Sequence, residues 1–98
     1  MYKNFIYPQS ISKLVLSARK HLRNESTVRD LQKAVQMAEM SIVAIEEKDI
    51  RNFLTGIEGR LELILYTIKE EEQIYHSKKI AYTIIDWLEK INKEKKTS

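Results

Sequence analysis

The chain contains no cysteine, one proline and two glycines in 98 residues. Without cysteine there are no disulfides, no thiol chemistry and no thiolate-bound zinc, and the composition suits a reducing compartment. So little proline and glycine leaves too few reversals for a turn-rich β fold, whereas the residues of long helices, Ala, Leu, Ile, Glu, Lys and Arg, are plentiful. Long apolar runs are missing as well. A run such as Ile42 to Ile45 is far too short to span a bilayer, and the opening MYKNFIYPQS lacks the apolar core of a signal peptide. A cytoplasmic, all-α protein is expected: one domain over residues 1–98, built as an antiparallel up-and-down four-helix bundle with short connections.

Catalytic equipment is equally sparse. With two histidines, no cysteine and no glycine-rich phosphate loop, little is left from which to assemble a nucleophile, a base and an oxyanion site. Glu58 and Glu62, and Glu72 and His76, share a helix face at four-residue spacing, but a di-metal bundle needs Glu-x-x-His on two helices and neither is present. Those carboxylates read as solvated, ion-pairing faces. No enzyme, metal or cofactor is expected.

Charge is unevenly distributed. Residues 1–45 carry 7 basic and 3 acidic groups, residues 46–76 carry 4 and 8, and residues 77–98 carry 6 and 3, for a formal net charge of +3. This alternation favours packing of the acidic middle against basic neighbours; weak attraction of the ends to an anionic lipid surface or to nucleic acid is the alternative. Nucleic acid is disfavoured because no concentrated Lys/Arg stripe with aromatic platforms is present.

The clearest helical pattern is Asp49 to Lys69. Ile50, Phe53, Leu54, Ile57, Leu61, Ile64, Leu65 and Ile68 recur at the spacing of one helix face, with Asp49 as the cap. A first helix is expected from an N-cap at Ser10 to about Arg23, burying Ile11, Leu14, Val15, Ala18 and Leu22, with His21 beside Leu14 at the edge of that stripe, a packed or half-exposed histidine and not a ligand. Asn24 to Ser26 form a polar break. Thr27 and Asp30 then resemble a capping box opening a second helix to about Ile45, with Val28, Leu31, Val35, Ala38, Ile42 and Ile45 inward. Its second half, Met37 to Ile45, is apolar nearly all round: either protein surrounds it or it exposes a partner patch. Met37 and Met40 are expected to fill gaps in the core. A break between Glu70 and Ser77 precedes a fourth helix to about Ile91, burying Ile80, Ala81, Ile84, Ile85 and Leu88. Residues 92–98 read as a frayed basic tail. Residues 1–8 form an aromatic arm, expected in a groove between helices.

Both glycines fall on the back of the third helix, where Gly56, Gly59, Leu63 and Tyr66 lie opposite its main apolar stripe. A glycine inside a helix costs about 1 kcal/mol relative to alanine, so two suggest a close approach. A neighbouring helix or the arm is the internal candidate; a protein partner or a second copy of the chain, making a homodimer, is the external one. Tyr75, Tyr82 and Trp87 are further interface candidates, as amphipathic aromatics at a core margin.

DIRNFLTGIEGRLELIL, a polar turn and SKKIAYTIIDWLEKI together resemble the third and fourth helices of the immunity proteins of pediocin-like (class IIa) bacteriocins. The resemblance implies a cytoplasmic four-helix bundle that protects a Gram-positive producer cell, recognising the membrane receptor that a bacteriocin has engaged. It assigns partner discrimination to the C-terminal half, here Tyr75, Tyr82, Trp87 and the basic residues Lys90, Lys93, Lys95 and Lys96. The alternative is a small helical regulatory or adaptor protein, phage-derived, that dimerises or binds one partner through Gly56 to Tyr66.

Overall fold

A computed structural model describes residues 2–97, with side chains as far as Lys95. It contains four helices, α1 (Pro8–Leu22), α2 (Val28–Ser41), α3 (Lys48–Thr67) and α4 (Glu70–Thr97), with a short 3-10 turn, Ile45–Glu47, between α2 and α3. No strand occurs among the described residues. α1 packs on α2 and α4, and α3 packs on the same two helices. The cross-helix pairs Gln36–Glu58, Phe53–Trp87 and His21–Ser77 fall where antiparallel neighbours place them. The chain is an up-and-down bundle.

The core follows the apolar periodicity. Leu14, Leu31, Leu54, Leu61, Ile84 and Leu88 are fully buried, and the expected inward residues of all four helices join them with one exception, Ile45. α2 stops at Ser41, whose hydroxyl donates to the Met37 carbonyl, and Ile42 turns out of the helix with φ −91° and ψ 84°. Ile42, Val43 and Ile45 are β-branched and favour helix weakly, so the seam ends at Ile42 and Ile45 is left in solvent.

Helix ends show what local chemistry controls. The Thr27–Asp30 capping box forms, with Asp30 N–H donating to Thr27 Oγ1 at 3.1 Å and Thr27 N–H to Asp30 Oδ2 at 3.0 Å. α1 starts at Pro8 with Tyr7 as its cap residue, and Ser10 sits inside the first turn; proline at the first helical position gives up an N–H that has no partner there anyway. α1 ends in a Schellman turn. Glu25 N–H reaches the Lys20 carbonyl and Asn24 N–H the His21 carbonyl, with Asn24 at φ 63°, a left-handed position that asparagine tolerates where glycine is usual. α3 begins at Lys48, directly after the 3-10 turn, so Asp49 lies in its first turn instead of capping it.

α4 differs most from expectation. The break comes at Ile68 and Lys69, and α4 already runs from Glu70, with its three glutamates in the first turn where the helix dipole favours them. Gln73 closes the corner: its side-chain amide donates to the Ile68 carbonyl at 2.9 Å and to Leu65 at 3.4 Å, satisfying carbonyls that the end of α3 leaves open. At the other end the expected tail is helix as far as Thr97. Twenty-eight residues make a rod of about 42 Å, the 43 Å long dimension of the molecule. α1 has 15 residues, about 22 Å, and cannot cover it.

The arm supplies the missing length. Tyr2 and Phe5 are buried, and Tyr2 donates its hydroxyl to Glu89 of α4 at 2.8 Å. Burial, then that carboxylate, pushes the Tyr2 phenol above its usual range. Ile6 N–H donates to Glu47 Oε2 at 2.9 Å, and Lys95 of α4 pairs with the same oxygen at 3.3 Å while lying over the Phe5 ring. The arm docks in a groove as expected, but against α4 and the 3-10 turn.

Candidate functional site

The side chains that the bundle does not use define its surfaces. Met37 is 61% exposed, Met40 74%, Val43 62% and Ile45 81%. Met37 and Met40 therefore do not fill the core. Ala38 and Ile42 of the same stretch are buried in the core, while Met37, Met40, Val43 and Ile45 face outward. Leu16, half exposed on α1, joins Met37 along a trough between α1 and α2. Val43 and Ile45 border a second recess with Lys48 and Arg51 on the α2–α3 side. The nearly all-round apolar stretch in the sequence was the signal for this surface. Leu16 had none, being one apolar residue among α1's polar outer positions.

The expected partner residues fall into three groups. On α3, Gly56 and Gly59 are exposed, and a Cβ added at either would meet no atom within 4 Å. Neither the arm nor a neighbouring helix approaches them, so the internal explanation is overturned: the arm is engaged elsewhere and α3 turns its other face to α2 and α4. Leu63 and Tyr66 lie exposed beside them. On α4, Tyr75 and Tyr82 are exposed on one face with Lys79 between them, its ammonium 4.4 Å from the Tyr75 ring centre. Trp87 is half-buried and stacks on Phe53 at 4.0 Å with planes 6° apart, so α3 covers that face of the indole.

The basic group divides. Lys90 and Lys93 are exposed, Lys90 paired with Asp86 at 3.3 Å. Lys95 is tied to Glu47 and the arm, which makes it a structural residue of the bundle; the Lys96 side chain lies outside the described residues. The structure thus keeps Gly56, Gly59, Leu63 and Tyr66 together, places Tyr75 and Tyr82 on another face, and turns Trp87 and Lys95 inward.

Two buried polar clusters escape sequence reasoning because their partners are distant in the chain. His21 is sealed between α1 and α4. His21 Nε2 lies 2.7 Å from Ser77 Oγ and Nδ1 lies 3.1 Å from Ser26 Oγ, and Ser77 Oγ also reaches the Ile74 carbonyl at 3.1 Å, so both ring nitrogens have hydrogen-bond partners. Burial, ahead of every other cause, holds the imidazole below its ordinary pKa. This cluster pins the end of α1 and the following turn to α4. Glu47, wholly buried, does the same for the arm; its Oε1 has no hydrogen-bond partner among the described residues. No group of three His, Asp or Glu side chains among the described residues is placed to hold a metal ion, and no helix among them is long and apolar enough to cross a membrane.

Compared with known proteins, the chain matches no family model, and no curated protein or solved structure is significantly similar to it.

Proposed function

We propose that this chain is a non-catalytic protein-recognition bundle, and that its role is immunity: protecting a producer cell from a pediocin-like bacteriocin by recognising the receptor the bacteriocin has engaged. One observation carries the recognition reading. The bundle exposes Met37, Met40, Val43 and Ile45 in one short stretch, at 61 to 81% each. Met37 borders the trough between α1 and α2, and Val43 and Ile45 border the recess on the α2–α3 side; large apolar side chains exposed at these two concave places contribute little to the core and support surfaces that become buried on a partner. Methionine suits such a surface, being flexible enough to adapt to a partner's shape.

The immunity role adds the resemblance of α3 and α4 to that family, whose helical-bundle architecture agrees with this one. The test is a challenge assay: a sensitive Gram-positive strain expressing the chain is exposed to a panel of pediocin-like bacteriocins. Resistance to a subset supports the role, and uniform sensitivity with the folded protein present in the cells refutes it.

The open glycine face of α3 favours a second reading, an adaptor that dimerises or binds its partner through Gly56, Gly59, Leu63 and Tyr66. Sedimentation velocity separates the two. A dimer dispersed by Gly59→Glu supports the α3 interface, and a monomer at all concentrations removes the dimer form of that reading.

A further inference from the structure

The trough between α1 and α2 has the shape and charge of a receptor for one helix. Its floor is Leu14 with the small residues Ser10 and Ser17 on α1 and Ala34, Ala38 and Ser41 on α2. The lining follows the row i, i+3, i+4, i+7 on each helix, Ser10, Lys13, Leu14 and Ser17 on α1 and Ala34, Met37, Ala38 and Ser41 on α2, so it is two turns, roughly 10 Å, long. The enclosed space is about 310 Å³. Leu16 and Met37 form the two apolar rims, 50% and 61% exposed. Small residues between two helices leave a groove into which the side-chain ridge of a third helix fits, and a flexible methionine at its edge adapts to what enters.

The charge of its lining has one sign. The lining holds Lys13 and no carboxylate. Beyond the lining, Lys20 lies four residues after Leu16 and Lys33 four residues before Met37, both exposed, with Lys20 acting on Glu25 and Lys33 on Asp30 as well, so Lys13 is the charge set in the trough itself. α1 carries no Asp or Glu at all. Of the two carboxylates on α2, Asp30 is held in the Thr27 cap and Glu39 faces the recess on the α2–α3 side. We propose that the trough binds an amphipathic helix of a partner protein, with aliphatic side chains along the inward stripe and Asp or Glu beside it to meet Lys13, Lys20 and Lys33. An anionic membrane would satisfy the same charges. The apolar atoms, however, line a recess of about 310 Å³ between two helices, which takes the side chains of a helix ridge and which a flat lipid surface does not fill.

This inference deepens the recognition reading and rests on it, but the two fail separately because the test needs no bacteriocin. The isotopically labelled full chain is titrated by NMR with two synthetic helical peptides of about 14 residues, sharing one Leu/Ile stripe and flanked by Glu in one and by Lys in the other. The Glu-flanked peptide is expected to shift the amides of Ser10, Ser17, Ala34, Ala38 and Ser41 and to bind about tenfold more tightly than the Lys-flanked one. Met37→Glu should weaken that binding at least as much without changing the melting temperature, because the side chain is largely in solvent.

Equal affinity for the two peptides, shifts confined to the α3 glycine face, or no binding of either at millimolar concentration would each overturn the proposal. So would attachment to phosphatidylglycerol vesicles through these same amides with no peptide binding, which would assign the surface to lipid. Peptide binding by a chain that confers no resistance would retain the trough and remove only the immunity role.

Discussion

Replacing Glu47 should release the N-terminal arm. The side chain is completely buried, and its Oε2 holds two separate segments at once, accepting from Ile6 N–H at 2.9 Å and pairing with Lys95 at 3.3 Å. A hydrogen bond to a charged group contributes about 1.5 to 3 kcal/mol. Breaking a fully buried ion pair by removing one partner costs about 3 to 5 kcal/mol, but the Lys95 side chain is 28% exposed and retains contact with water, so the lower part of that range applies. Glu47→Ala should therefore lose at least about 3 kcal/mol, which for a chain of this size lowers the melting temperature by roughly 12 to 24 °C. Glu47→Gln keeps an acceptor for the Ile6 amide and loses only the ion pair, so it should cost about 1 kcal/mol. Removing both charges with Glu47→Leu and Lys95→Met should recover much of the loss, since an apolar pair of similar volume avoids the desolvation of two ions. Denaturant unfolding of the single and double variants gives the coupling, and hydrogen exchange at Ile6 reads the arm directly. A loss below about 0.5 kcal/mol in Glu47→Ala, with the Ile6 amide still protected, would show that the arm is held by Tyr2 and Phe5 alone and that the reasoning about Glu47 is wrong.

Three further outcomes follow from the same packing. Gly56→Ala and Gly59→Ala should each stabilise the free protein by about 0.5 to 1 kcal/mol, because helical glycine is disfavoured and both positions are open; destabilisation in a urea melt would mean that something covers them. Leu61→Ala should cost roughly 2 to 5 kcal/mol and Ile64→Ala somewhat less, the first side chain being fully buried and the second 9% exposed. His21 makes stability depend on pH. Its folded pKa lies below the unfolded value of about 6.5, so the neutral ring's contribution is complete above pH 6.5 and is lost as pH falls from there through the folded value. Melting curves between pH 8 and pH 5 should show a steeper acid decline for the native chain than for His21→Leu, and parallel declines would refute the role given to His21.

What could be read in the residues was what their near neighbours decide. The capping box needs only Thr27 and Asp30, three positions apart, and it forms as written. The apolar rows of all four helices are set by a 3.6-residue period, and they are the rows that the core buries. Where the reading failed, a distant or delicate partner was responsible. The end of α3 carries no proline or glycine; it is closed by the Gln73 amide bending back from the next helix. Past Ile91, α4 meets groups far away in the chain: Lys95 lies over the Phe5 ring of the arm and pairs with Glu47. Met37 and Met40 carry the same apolar label as the core residues, and no periodicity states that they face outward.

The sequence by itself determined an all-α chain, the inward face of each helix and the cap of α2, because hydrogen bonds, dipoles and side-chain rows within a helix act over three or four residues. Only the tertiary structure decided that the arm lies on α4, that Gly56 and Gly59 stand open, that His21 and Glu47 are sealed, and that Lys13, Leu16 and Met37 border one trough. Burial and pairing are properties of what arrives from elsewhere in the chain, and packing sets them once the local helices have formed.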